Sequence, residues 1–271
     1  MFKTLTALVL FTLSFIPVVL AQEPASSSAT STTKLNNDYF YQLEQYRQTH
    51  DQFILDRGEH TKFGTLATGE KLVASARDFA SARARVLSAY LFALRVTLDQ
   101  TEGVDIGDKQ SVLTMIDQSA AGLAAHQQAL AAIAERAPLE VELSRFETFD
   151  LPPFFAASYQ SLSLLAIGRI QGSADQLLVE SRNFESQVVT LEENEAKKAS
   201  LSRGLKEIAL KLQDATTSIA AARADFAEYN SAKQSDDPED IHGNVIKALD
   251  PAYTALQQGV TYLVELEKTS Q

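Results

Sequence analysis

Between Ser200 and Asn230, the residues Leu201, Leu205, Ile208, Leu212, Ala215, Ile219, Ala222, Phe226 and Tyr229 follow one another at alternating spacings of four and three. No proline interrupts the run, and the positions between are mostly Lys, Glu, Asp, Gln, Arg, Ser and Ala. An amphipathic helix is the regular structure whose period fits such a seam. Alone it would not be stable. Ordering each residue costs about 1–2 kcal/mol, whereas burying each large seam side chain returns about 1.5–3 kcal/mol. The candidate core residues Leu201, Leu205, Ile208, Leu212, Ile219, Phe226 and Tyr229 therefore require partners from the rest of the chain.

Those partners read as more helices. Gly and Pro are few (11 and 7 in 271 residues), and Trp and Cys are absent. This is the residue usage of long helices rather than strands, and it leaves no disulfide and no thiolate metal site. A net charge of −11 repels phosphate backbones and anionic lipid headgroups, and no helix has a Lys/Arg-rich face. Nucleic acid is therefore not an expected partner. Residues 1–21 read as a secretory signal: Lys3, an apolar run from Leu5 to Leu20, then Val19 and Ala21 at peptidase-favoured positions. Cleavage near Ala21 would leave a secreted or extracytoplasmic chain, with membrane contact only where the segment is retained.

The domain reading is a signal at 1–21, a flexible Ser/Thr-rich leader at 22–35, a three-helix region at 36–137 and, at 138–271, a long helical hairpin plus a C-terminal helix. The first helix is expected from Asn36–Asp38 to about Gly64, with Tyr39, Leu43, Tyr46, His50 and Phe53 inward and Thr68 capping the next helix. The second, about Glu70 to Gln100, is apolar over a wide arc. A loop at Thr101–Asp108 precedes a third helix, about Lys109 to Arg136, which Pro138 ends. Asp150-Leu151-Pro152-Pro153 reads as the clearest break in the chain. Beyond it, a long seam from Phe155 to Leu191 carries a stutter at Ala166 and Ile170 beside Gly168 and Gly172, pointing to close packing or a bend. The register shifts between Glu192 and Ala199, which reads as a hairpin turn that includes Asn194 or, since the stretch has no Gly or Pro, as one continuous long helix. Asp237-Pro238 starts the last helix, with Pro251 expected to kink it and Tyr253 on its apolar face. The fold class is all-α: an elongated antiparallel helical bundle with coiled-coil-like long helices.

Chemistry is hard to find. Asp56 and His60 lie four apart, a spacing more often solvent-facing than metal-binding, and Glu239 with His242 forms the single Glu-x-x-His where a di-iron bundle needs two. Phosphate-binding, dinucleotide-binding and hydrolase motifs are absent. The polar residues read as solvated faces, so no catalytic residue, metal ligand or cofactor is expected.

At Asp38-Tyr39-Phe40-Tyr41-Gln42 with Tyr46-Arg47, at Tyr90-Leu91-Phe92-Ala93-Leu94 and at Tyr159-Gln160-Ser161-Leu162 with Gly168 downstream, the chain resembles exported helical proteins of small-genome candidate-phylum bacteria. No activity is assigned to that group. The resemblance implies a cell-envelope location and carries no functional residue with it.

The leading expectation is a non-enzymatic structural or interaction protein, a scaffold or spacer that binds a protein partner or itself. The first alternative is a solute-binding bundle of the sensor type, with a small-molecule ligand among the candidate pocket aromatics Tyr39, Tyr46, Tyr90 and Tyr159. The second is a membrane-active protein that releases the apolar stretch from Phe154 to Ile170 into lipid.

Overall fold

The computed structural model of the chain describes residues 28–190, 195–231 and 237–270. The expected signal, the start of the leader and the turn around Asn194 lie outside them. The described residues are all-helical: α1 (Ser28–Phe63), α2 (Leu66–Gln100), α3 (Ile106–Ala131), α4 (Arg136–Arg145), a π-helical turn (Phe146–Asp150), α5 (Leu151–Thr190), α6 (Glu195–Ser231) and α7 (Pro238–Ser270).

Several boundaries differ from expectation. The leader is not flexible over its whole length, because α1 already begins at Ser28. No glycine or proline occurs from there to Arg57, and extending a nucleated helix costs little. Gly64, at φ +59°, closes α1 in the left-handed conformation. The cap of α2 is Thr65 rather than Thr68. Thr65 Oγ1 accepts from Thr68 N–H while Thr68 Oγ1 accepts from Thr65 N–H, a reciprocal pair that moves the start of α2 to Leu66. Asp105 caps α3 through Gly107 and Asp108 N–H. Pro138 does not end α3, which stops at Ala131; it sits in the first turn of α4, where a missing N–H costs nothing.

The largest correction is at Asp150–Pro153. No break occurs there, and α4, the π-turn and α5 run on without interruption. Leu151 N–H bonds to Phe146 O, five residues back, and this wider turn carries the chain into the two prolines at the start of α5.

The helices run alternately up and down. Tyr39 meets Tyr90 and His60 meets Thr68, so α1 and α2 are antiparallel. Arg95 pairs with Asp117 and Arg77 reaches Ile133 O, which sets α3 antiparallel to α2. Ser163 with Tyr229 and Gln171 with Arg223 define the antiparallel hairpin of α5 and α6. Lys197 near Ser270 turns α7 back along α6, and these two helices make the most extensive pairing in the molecule.

Among the described residues, the backbone of α1 neighbours only α2, whereas α5 is flanked by α2, α3, α6 and α7. This explains the stretch from Phe154 to Ile170. It is apolar because the helix is surrounded, with Phe154, Ala157, Leu164, Leu165 and Ile167 all buried. No helix among the described residues is long and apolar enough to cross a membrane. One continuous core extends from Leu43 to Leu263 across the expected boundary at 137/138, joined by α5. Leu201, Ile208, Ile219 and Phe226 are buried in it, and Leu205, Leu212 and Tyr229 pack partly buried against it. Tyr253 does not belong to the apolar face of α7, where it is exposed, and α7 continues through Pro251. At the stutter, a Cβ on Gly168 would run into the Thr101 methyl and the Glu102 carbonyl oxygen, whereas one on Gly172 would meet nothing within 4 Å. Gly168 is therefore small because the α2–α3 loop packs on it.

Candidate functional site

The four candidate pocket tyrosines do not share one pocket. Tyr46 stacks with Phe79 (5.2 Å) in a half-buried set with His50 and Phe53 along the α1–α2 seam. Tyr39 packs against Tyr90 (6.0 Å), and Tyr90 against Phe154 (6.1 Å). Burial, reinforced by the neighbouring phenols of Tyr39 and Tyr159, raises the Tyr90 hydroxyl above the ordinary phenol range. Tyr159 lies beside the His242 ring (5.7 Å) and is pushed up to about 12, first by burial and then by the carboxylate of Glu239. The rings fill the seams between helices, and neither cleft described below is lined by any of them.

The expectation that polar residues form solvated faces fails most clearly in two buried networks. In the first, His126 on α3 is 1% exposed and its Nδ1 lies 2.5 Å from Glu142 Oε1 on α4. Arg145 donates to both Glu142 oxygens and to both oxygens of Asp150, closing the π-turn on itself. The His126 ring stacks on Phe146 (4.2 Å between centroids), and the Arg83 guanidinium lies over the same ring. Burial pushes His126 below the usual histidine value, against the opposing pull of Glu142. Hydrogen bonds from Arg145 hold Glu142 below the usual carboxylate range. With the imidazole neutral, its Nδ1–H donates to a carboxylate that Arg145 has already neutralised, so the group is a structural clasp.

The second network joins the hairpin to α7. Ser163 on α5 is fully buried and donates to Tyr159 O (2.9 Å). Its oxygen lies 2.9 Å from His242 Nδ1 and 3.3 Å from the Tyr229 hydroxyl, which donates to Pro238 O. Burial lowers His242 and pushes Tyr229 up to about 12. A serine–histidine pair invites comparison with nucleophilic catalysis, which needs the serine proton to pass to histidine. Here the serine hydroxyl also bonds the Tyr159 carbonyl and is 0% exposed, so the pair links α5 to α7 inside the core.

The remaining candidates separate. Asp56 is not solvent-facing but 8% exposed, and it accepts from Gln52; His60 turns away to Thr68. Asp56 and Gln52, with Thr49, Lys71, Ser75 and Asp78, line an open cleft of about 360 Å³ between α1 and α2. Glu239 and His242 part to Tyr159 and Ser163 respectively. Among the described residues, no three His, Asp or Glu side chains come together as a metal site would require.

Sequence reasoning passed over His126, Glu142 and Ser163, although a signal was present for Glu142. The third-helix seam Leu113, Ile116, Ala120, Leu123 continues through Gln127 to Leu130, which leaves His126 one residue off it. Glu142 lies on the same stripe as Leu139 and Phe146. Comparison of the chain with protein-family models, curated proteins and solved structures found no match.

Proposed function

We propose that the chain is an exported, non-enzymatic scaffold or spacer of the cell envelope, which acts by holding protein-binding surfaces on stiff helical arms. The observation that supports this reading is the set of rods α5, α6 and α7, of 40, 37 and 33 residues, hence about 60, 55 and 50 Å long. They lie side by side around one continuous core, and the two buried polar networks at His126 and Ser163 fasten helices to one another. Export rests on the sequence of residues 1–21, and the absence of a catalytic role is part of the proposal.

A second reading, solute binding, draws support from the polar cleft containing Asp56 and Lys71 rather than from the tyrosines. Small-angle scattering together with a thermal-shift screen of metabolites separates the two. The scaffold reading predicts an elongated particle whose melting temperature no small metabolite changes. A compact particle stabilised by a metabolite would overturn it.

A further inference from the structure

The outward face of α7 carries a stripe that complements itself. Lys247, Pro251, Thr254, Gln258, Thr261 and Glu265 recur at alternating spacings of four and three, and all six are exposed. They form the solvent-side counterpart of the apolar stripe that α7 turns to α5 and α6. From Pro251 to Val264 there is no charged residue, although the chain as a whole carries −11. Asp250 and Glu265 flank the window in sequence, and on the stripe itself the end charges are opposite in sign, Lys247 one turn before the window and Glu265 at its close. Among the described residues, neither side chain is engaged in an ion pair. Thr254, Gln258 and Thr261, with Gln257 and Tyr262, line a shallow surface depression of about 420 Å³ midway between them.

We infer that this face is where a second copy of the chain docks, α7 against α7, antiparallel about a two-fold axis at the level of Leu256. A closed two-fold contact requires a patch that matches itself. The stripe does so at every position: Lys247 meets the second copy's Glu265, Pro251 meets its Thr261, Thr254 meets its Gln258, and the same contacts repeat on the other side of the axis. Charge selects the second copy as occupant. Two molecules of like charge repel over most of their surfaces, and this uncharged window with opposite charges at its ends lets them approach and draws them into one register. Depletion of charge at the centre is a property this stripe shares with an interface core. One helix face is a small contact, so the pairing is reversible and concentration-dependent.

The inference builds on the scaffold reading, in which the chain works through protein contacts, yet the two fail separately. An elongated particle that stays monomeric would remove the pairing and leave the scaffold standing. The test is sedimentation equilibrium of the purified full chain over a concentration series at low salt. Wild type is expected to approach twice the monomer mass, and K247E and E265K are each expected to weaken association by about tenfold or more, since each places two like-charge pairs across the axis. The double variant K247E/E265K restores opposite pairs and is expected to recover dimerisation. All these positions are exposed, and circular dichroism checks that each variant is folded. A monomer at every concentration, single variants without effect, or a double variant that fails to recover would each overturn the proposal.

Discussion

Helix α5 is fastened at two places by different means. Where it begins, the formal charges of Glu142, Arg145 and Asp150 answer one another around the π-turn, and the neutral His126 donates to Glu142. Further along, Ser163, His242 and Tyr229 hold it to α6 and α7 through neutral groups. The difference follows from exposure. Arg145 keeps 38% of its side chain in contact with solvent, so it can sustain a charge whose partners are buried. Ser163 is 0% exposed and sits where an ion would find no water. Charge serves at the edge of the core, and hydroxyls serve at its centre.

If that contrast is right, cutting the charged clasp does the most damage. Glu142→Ala leaves His126 without an acceptor and Arg145 with only Asp150, and is expected to cost about 3 kcal/mol in chemical denaturation. A loss below about 1 kcal/mol would mean that the clasp behaves as a surface pair. Gly168→Ala, just beyond the second fastening, forces the α2–α3 loop away from α5 and is expected to cost about 2 kcal/mol. Ser163→Ala removes one neutral acceptor from His242 and one donor to Tyr159 O, and about 1 kcal/mol should be lost. Should Ser163→Ala cost more than Glu142→Ala, the ranking of the two fastenings would be reversed.

The same contrast governs pH dependence. Both histidines are lowered by burial, so below the ordinary histidine value near 6.5 the unfolded chain binds protons that the native chain refuses. Stability is full above that value and falls with pH until the lowered native pKa is reached, at up to about 1.4 kcal/mol per pH unit for each histidine. Glu142 adds a loss at more acid pH: its native pKa is depressed, so its contribution is present above the ordinary glutamate value and disappears as pH falls through the native one. His242→Gln and His126→Gln should each flatten the decline below 6.5. Denaturant midpoints taken between pH 7 and pH 5 would decide this, and an unchanged slope in both variants would assign the decline to other groups.

How much of this was legible in the sequence depended on whether local period and tertiary packing agreed. The seam from Leu201 to Tyr229 was readable because α6 buries a single stripe between two neighbours. Pro152 and Pro153 misled because a proline pair removes two donors, and only the widened turn at Phe146–Asp150 lets the helix absorb them. Nothing in the local pattern announces a π-turn. Ser163 was hidden for a related reason: the segment around it is buried on all sides, so periodicity has no contrast there and polar members cannot be sorted by face. Glu142 was recoverable, since it continues the stripe of Leu139 and Phe146, whereas His126 stands one residue off the register of Leu123, Gln127 and Leu130. The pairing of the four tyrosines across helices depends on which rods become neighbours, and a single sequence does not encode that locally.

The two glycines at the stutter give the smallest test. Gly172 lies one turn beyond Gly168 on the same helix, yet a Cβ there would meet nothing within 4 Å. Gly172→Ala therefore adds helix propensity without a clash and should stabilise the protein by about 0.5–1 kcal/mol, opposite in sign to Gly168→Ala. Only the loop from Thr101 to Val104 distinguishes the two positions, so their difference isolates what that loop contributes to holding α5 just past its second fastening. Equal destabilisation by both alanines would mean that α5 bends at the stutter and that backbone freedom, rather than loop packing, is what the glycines supply.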